Sequence, residues 1–143
     1  MTQYINPAKS QEWGTPQWLF DQLNKEFHFT LDACASGHLH KCDRFFSMQE
    51  CAFSQPWDRS TYCNPPYGRS IEKWIAKAYM ESRTGKTVVM LLPARTDTKW
   101  FHRYCLAPGT EIRFLKGRVN FDGLPGRSRA PFPSMIVIFK PSN

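Results

Sequence analysis

A chain of 143 residues with 41% hydrophobic residues, 5 Trp and 11 Phe has enough material for one modest core and is too rich in aromatics for a disordered segment. Its 19 Lys and Arg against 12 Asp and Glu leave a net charge of +7, which points toward a polyanionic partner; a merely soluble basic protein is the plainer alternative. No apolar run reaches membrane length and Met1-Thr2-Gln3-Tyr4 carries no signal peptide, so a cytoplasmic protein is expected, with its 5 scattered cysteines reduced.

No repeat or linker divides the chain, so residues 1–143 are expected to form a single domain, with a loose arm up to about Gln11 and no separate target-recognition domain. Thr15 is placed to cap a helix with Pro16 at its first position. Trp18, Leu19, Leu23 and Phe27 recur at helical spacing and predict that helix over 16–26. Phe29-Thr30-Leu31-Asp32 reads as a buried strand ending at Asp32, followed by the small-residue turn Ala33-Cys34-Ala35-Ser36-Gly37. Arg44-Phe45-Phe46 is expected as a second short strand, and residues 47–59 show no clear pattern. Ser60-Thr61-Tyr62-Cys63 is a short apolar run. Ile71, Trp74, Ile75, Ala78 and Tyr79 mark one face of a helix over 70–82, which Gly85 ends. Residues 87–92 form a continuous apolar strand of the fully buried, parallel type. A short helix is expected over 97–104, strands over 111–115 and 135–139, and a small strand over 118–121 before the Gly/Pro/Arg-rich loop 122–133. Alternating strands and helices predict an α/β fold with a mainly parallel sheet.

Between the apolar run and the second helix stands Asn64-Pro65-Pro66-Tyr67. The prolines hold the backbone extended and free their carbonyls from ladder pairing. Such a turn suits chemistry on an amino group conjugated to a ring. That nitrogen is a poor nucleophile, because its lone pair is delocalised. Two acceptors that take its two N–H groups favour a pyramidal nitrogen. The Asn64 side-chain oxygen and the Pro65 carbonyl are candidates for these acceptors, and Tyr67 for stacking on the base and facing a sulfonium cation. Asn-Pro-x-Tyr is also a phosphotyrosine-domain ligand, but that use needs an exposed tail. An ordinary turn is the remaining alternative.

Asp32 also ends a predicted strand, and open α/β sheets bind ligands beyond the carboxyl ends of their strands. Asp32 and Asn64 are thus candidates for one crevice, with Asp32 receiving a ligand ammonium and the N–H groups of residues 35–37 near its carboxylate. Taken alone, Asp32 reads more readily as a turn residue. Cys34, His38, His40 and Cys42, with Cys51 nearby, lack paired zinc spacing, so no metal is expected. His102 reads as a packing or solvent-facing residue.

Several segments together carry a family resemblance: Glu12-Trp13-Gly14-Thr15-Pro16, Phe29 through Ala35, Cys63-Asn64-Pro65-Pro66-Tyr67-Gly68, Leu91-Leu92-Pro93-Ala94-Arg95-Thr96-Asp97 and Ala130-Pro131-Phe132-Pro133-Ser134. In this order the chain resembles the phage-type DNA N-6-adenine methyltransferases. The resemblance implies a reduced class I, Rossmann-like methyltransferase fold, S-adenosylmethionine as donor and S-adenosylhomocysteine as product. It implies adenine in double-stranded DNA as acceptor, flipped into the Asn-Pro-Pro-Tyr pocket; no membrane association is expected and no obligate protein partner is inferred. Thr15 and Pro16 are implied at the cofactor's methionine end. Asp32, Ala33, Cys34 and Ala35 resemble the methyltransferase glycine-rich loop without its Gly-x-Gly. Asp43 and Glu50 are candidates for the ribose and adenine acids, and Phe53, in Cys51-Ala52-Phe53, for covering the cofactor's adenine.

Arg95, Lys99, Arg103, Arg113, Lys116, Arg118, Arg127 and Arg129 gather positive charge in the C-terminal half. They form either a solvated face or phosphate contacts, with Arg95, Arg118, Arg127 and Arg129 the candidates for DNA. Phe132 is a candidate for stacking on the flipped base opposite Tyr67, and equally for core packing. Sequence readout is expected from loops 37–44 and 122–131. Two other functions stand beside this one. One is methylation of RNA or of a protein glutamine; the charge disfavours a protein acceptor but does not separate DNA from RNA. The other is a non-catalytic basic DNA-binding module, which intact Asn64 and Tyr67 argue against and the missing Gly-x-Gly argues for.

Overall fold

The structure, a computed structural model, describes residues 13–35, 39–122 and 129–141. A five-stranded open sheet runs in the order β1-β2-β3-β5-β4, built from β1 Leu31–Asp32, β2 Ser60–Cys63, β3 Thr87–Pro93, β4 Glu111–Phe114 and β5 Ser134–Phe139. The first three strands are parallel, with Asp32 opposite Tyr62 and Cys63 opposite Met90. β5 enters antiparallel between β3 and β4, so β4 runs with the first three. Every residue of β5, and every residue of β3 after Thr87, is buried. Covering on both faces accounts for the unbroken apolar runs of these strands.

The strand expected over 29–32 shortens to Leu31–Asp32. Residues 44–46 flank it without forming a strand: Asp32 N–H bonds the Arg44 carbonyl at 3.1 Å and Phe46 N–H bonds the Asp32 carbonyl at 3.0 Å. Residues 118–121 are not a strand either. Val119 receives Ala130 N–H at 3.0 Å while Asp122 pairs with Gly14. Each of these contacts is isolated, so no ladder forms.

The helix α1, Gln17–Phe27, buries Leu19, Phe20 and Leu23. Thr15 does not cap it, and Pro16 is not its first residue. Pro16 holds the cap position with an extended backbone, and its carbonyl takes the N–H groups of Leu19 and Phe20 at 3.1 and 3.2 Å. The Thr15 hydroxyl is drawn inward instead. The unpatterned stretch 47–59 holds a short helix α2, Gln49–Ser54. The helix α3, Ile71–Ser82, buries Ile71, Trp74, Ile75 and Ala78 against the sheet. At its end Glu81 accepts Trp57 N–H and pairs with Lys77 at 2.8 Å and Lys86 at 2.5 Å, which ties the helix to the segments leading into β2 and β3. The helix expected over 97–104 begins at Lys99 and widens into a π-helical turn, Phe101–Cys105. Among the described residues, no helix is long and apolar enough to cross a membrane.

Candidate active site

The parallel register brings the carboxyl ends of β1 and β2 side by side. Asp32 closes β1, and Asn64 is the first residue past β2. Loops leave both strands here, at the sheet edge where open α/β sheets commonly bind ligands.

The Asn64 amide is held by the segment that precedes α1. Its Nδ2 donates to the Trp13 carbonyl and, at 3.1 Å, to Thr15 Oγ1. A carbonyl only accepts, so the NH2 group must face Trp13 and the oxygen must point away. That oxygen, Oδ1, is buried and has no hydrogen-bond partner. Buried polar atoms are nearly always paired, and an unpartnered one in a native fold calls for an explanation such as a ligand donor. Thr15 Oγ1 is also 2.5 Å from the Tyr62 hydroxyl. Burial pushes the Tyr62 phenol well above its usual range.

Tyr67 is buried, and its hydroxyl donates to the Leu91 carbonyl at 2.7 Å. Its ring meets Phe132 edge-on at 5.6 Å and 71° and Phe121 at 6.3 Å and 86°. Trp13 completes the cluster, 5.2 Å from Phe132 and 5.5 Å from Phe121. Tyr67 and Phe132 are thus in edge contact with each other rather than parallel walls. Trp13 and Phe121 have no periodic signal in the sequence; Trp13 stood out only as part of the 12–16 segment. Pro65 is buried and Pro66 half-buried beside this cluster.

Asp32 is 3% exposed. Its Oδ1 accepts Cys34 N–H at 3.3 Å and its Oδ2 accepts Lys41 N–H at 2.9 Å. Burial raises its pKa, and these two backbone bonds oppose the rise. Among the described residues, no cationic side chain forms an ion pair with it, so its charge is incompletely balanced. Ala33 and Ala35, both buried, and half-buried Cys34 follow it; residues 36–38 lie outside the described residues. Phe53 packs on Trp74 with ring centroids 4.7 Å apart, and the buried Trp74 Nε1 has no partner. Asp43 and Glu50 are exposed. His40 stacks on Phe45 and its Nδ1 lies 2.8 Å from the Cys42 carbonyl; His38 lies outside the described residues.

Arg95, Arg118 and Arg129 are exposed. Arg95 lies over the Phe132 ring at 5.7 Å, and Arg118 and Arg129 neighbour the bonded pair Val119 and Ala130. Arg127 lies outside the described residues. Arg113 is already engaged: Glu26 holds its guanidinium through two bonds of 2.8 Å, and Glu111 takes its Nε at 2.6 Å. His102 is exposed with Nε2 2.8 Å from the Thr96 carbonyl.

The chain is similar to the DNA N-6-adenine-methyltransferase of Haemophilus phage HP1 (strain HP1c1), 31% identical over 147 residues that cover 95% of this chain and 83% of the relative. It is also similar to the DNA N-6-adenine-methyltransferase of Escherichia phage T1, 30% identical over 92 residues, or 62% of this chain and 38% of the relative. Residues 3–143 match the family described as DNA N-6-adenine-methyltransferase (Dam). With the match running over nearly the whole chain, the protein belongs to the phage-type DNA N-6-adenine-methyltransferase (Dam) family.

Proposed function

We propose that this protein methylates the N6 amino group of adenine in duplex DNA, with S-adenosylmethionine as donor. The observation that carries the proposal is the buried, unpartnered Asn64 Oδ1, oriented by the two hydrogen bonds of Asn64 Nδ2. An acceptor fixed there takes one N–H of the adenine amino group. The Pro65 carbonyl is the candidate for the other. Withdrawing both hydrogens from the ring plane localises the nitrogen lone pair and makes it a nucleophile. Because the acceptors are in place beforehand, no reorganisation is needed as charge develops. The surplus proton leaves to water after transfer.

S-adenosylmethionine, when bound, supplies an electrophilic methyl group on a sulfonium centre. The residues at the end of β1 fit it. Asp32 is a buried carboxylate without an ion-pair partner among the described residues, suited to an ammonium. Small side chains follow at Ala33 and Ala35, whose N–H groups are engaged by the Tyr62 and Phe46 carbonyls at 2.9 Å. Phe53, against Trp74, is the candidate for an aromatic contact with the cofactor's adenine. The sheet order, with one antiparallel strand set between β3 and β4, supports the class I reading of the fold.

Tyr67 and Phe132 line the base side of the crevice, with Tyr67 proposed to offset part of the cost of flipping. Exposed Arg95, Arg118 and Arg129 suit the phosphates around it. Incubation with unmethylated duplex DNA and labelled S-adenosylmethionine, followed by nucleoside mass spectrometry, tests the proposal. N6-methyladenine is the expected product. Label found only in RNA, cytosine or protein would overturn it.

A further inference from the structure

We infer that Thr15 is a positioning residue for Asn64, acting on the orientation of its amide rather than on the cofactor. The inference rests on the assignment of Asn64 above. An Asn side chain turns easily about its last torsion, which is broad and roughly two-fold. The Trp13 carbonyl excludes the flipped orientation, since oxygen would face oxygen. One anchor still lets the amide plane tilt. Thr15 Oγ1, 3.1 Å from the same NH2 group, is the second anchor and fixes the plane.

Thr15 is itself immobilised. It is 3% exposed, and its hydroxyl lies 2.5 Å from that of Tyr62. The Tyr62 ring is boxed by Phe20 at 5.3 Å and Phe29 at 5.4 Å. A continuous path therefore runs from the core side of α1 through Tyr62 and Thr15 to the amide of Asn64, whose oxygen is unpartnered. With both neighbours in place, the Thr15 hydroxyl is buried and engaged, not presented to a ligand.

The test compares Thr15→Val, which keeps the shape and removes the hydroxyl, with Thr15→Ser, which restores it. Thr15→Val should lower the single-turnover rate at saturating cofactor and DNA by about 10- to 100-fold, as a small misplacement of a catalytic group does, while cofactor affinity stays within about twofold. Thr15→Ser should recover most of that loss. Calorimetric stoichiometry with the cofactor reports the folded fraction. If valine impairs folding, Tyr62→Phe removes the other partner of Thr15 and should lower the rate in the same direction by less. A separate readout needs no activity: exchange of the Asn64 side-chain amide protons with solvent, assigned by their absence in Asn64→Ala, should quicken in Thr15→Val. Unchanged amide exchange, or a parental single-turnover rate at saturating cofactor, overturns the inference. Faster exchange in a protein that never yields N6-methyladenine leaves the positioning intact and overturns the function proposed for Asn64.

Discussion

Gly14 and Asp122 exchange two backbone hydrogen bonds, Gly14 N–H to Asp122 at 3.1 Å and Asp122 N–H to Gly14 at 2.7 Å. This pairing ties the segment that orients Asn64 to the one that carries Phe121. The approach is so close that a β-carbon at position 14 would lie 2.8 Å from the Asp122 carbonyl oxygen. Backbone on the far side cannot swing away as a flexible side chain would. Gly14→Ala should therefore cost about 1–3 kcal/mol of stability, the range for overpacking, and should also lower methyl transfer through the displaced Trp13 carbonyl. Urea unfolding and transfer rate are the measurements. A variant with parental stability and rate would show that the pairing is loose.

Asn64→Ala should abolish turnover while cofactor affinity stays within a few fold. Removing one preorganised hydrogen-bonding group costs about 2–4 kcal/mol in the transition state. Asn64→Asp is a sharper probe. It keeps the shape but sets an acceptor against the Trp13 carbonyl, so it should be inactive too, and less stable than Asn64→Ala if ionised. Near-normal turnover in either variant would remove Asn64 from the reaction.

Asp32 gives a prediction about pH. Burial raises its folded pKa above the unfolded value. A raised group contributes stability that is full below the unfolded pKa and lost as pH rises through the folded one. Ionised Asp32 thus burdens the unliganded fold at neutral pH. The stability of the parent relative to Asp32→Asn should shift in the parent's favour as pH falls from neutral into the acid range, whichever protein is the more stable at neutral pH. Asp32→Ala should weaken S-adenosylmethionine binding by about tenfold or more, because a charged hydrogen bond of roughly 1.5–3 kcal/mol is lost. Unfolding at several pH values and calorimetry at neutral pH check both parts. Parallel pH profiles together with unchanged affinity would reduce Asp32 to a turn residue.

The basic face separates into engaged and exposed cations. Exposed Arg95, Arg118 and Arg129 should each contribute about 0.9 to the logarithmic salt slope of duplex binding if each meets one phosphate. Replacing each with Ala should flatten the slope accordingly. Arg113→Ala should leave it nearly unchanged, since Glu26 and Glu111 already hold that guanidinium. Its exposed bonds should contribute little to stability. A flattened slope for Arg113→Ala and none for the other three would place the DNA on the opposite face.

The sequence showed some of this well and some not at all, for physical reasons. α3 and β3 were legible because burial on one face, or on both, imposes a pattern on neighbouring residues. The turn at Asn64 was legible because two prolines constrain it locally. α2 was not, since its six residues are too few for a helical period to stand out. Local spacing marks the Thr15 hydroxyl as a helix cap, whereas its partners, Asn64 and Tyr62, lie 49 and 47 residues away. That Arg113 is already engaged was not legible either, because its partner Glu26 is 87 residues distant. Local spacing carries no record of such pairs.

Tyr67 has two duties that its variants can separate. Its hydroxyl donates to the Leu91 carbonyl at 2.7 Å, and its ring fills the cluster with Phe121 and Phe132. Tyr67→Phe loses the bond and leaves the buried Leu91 carbonyl short of a donor, a cost of about 1–3 kcal/mol. The ring remains, so substantial transfer activity should remain in the folded protein. Tyr67→Ala also opens a cavity, at about 3–5 kcal/mol for a large aromatic. It removes as well the surface proposed to stack on the flipped base, worth about 1–3 kcal/mol. Stability loss alone lowers the folded fraction equally for every substrate. Lost stacking does not: a mismatched target adenine, which is easier to extrude, should rescue Tyr67→Ala more than it helps the parent. Transfer rates on matched and mismatched duplexes, normalised to folded protein, decide the matter. Equal rates for the Phe and Ala variants, with no mismatch rescue, would make Tyr67 a packing residue of the cluster and pass the base contact to Phe132.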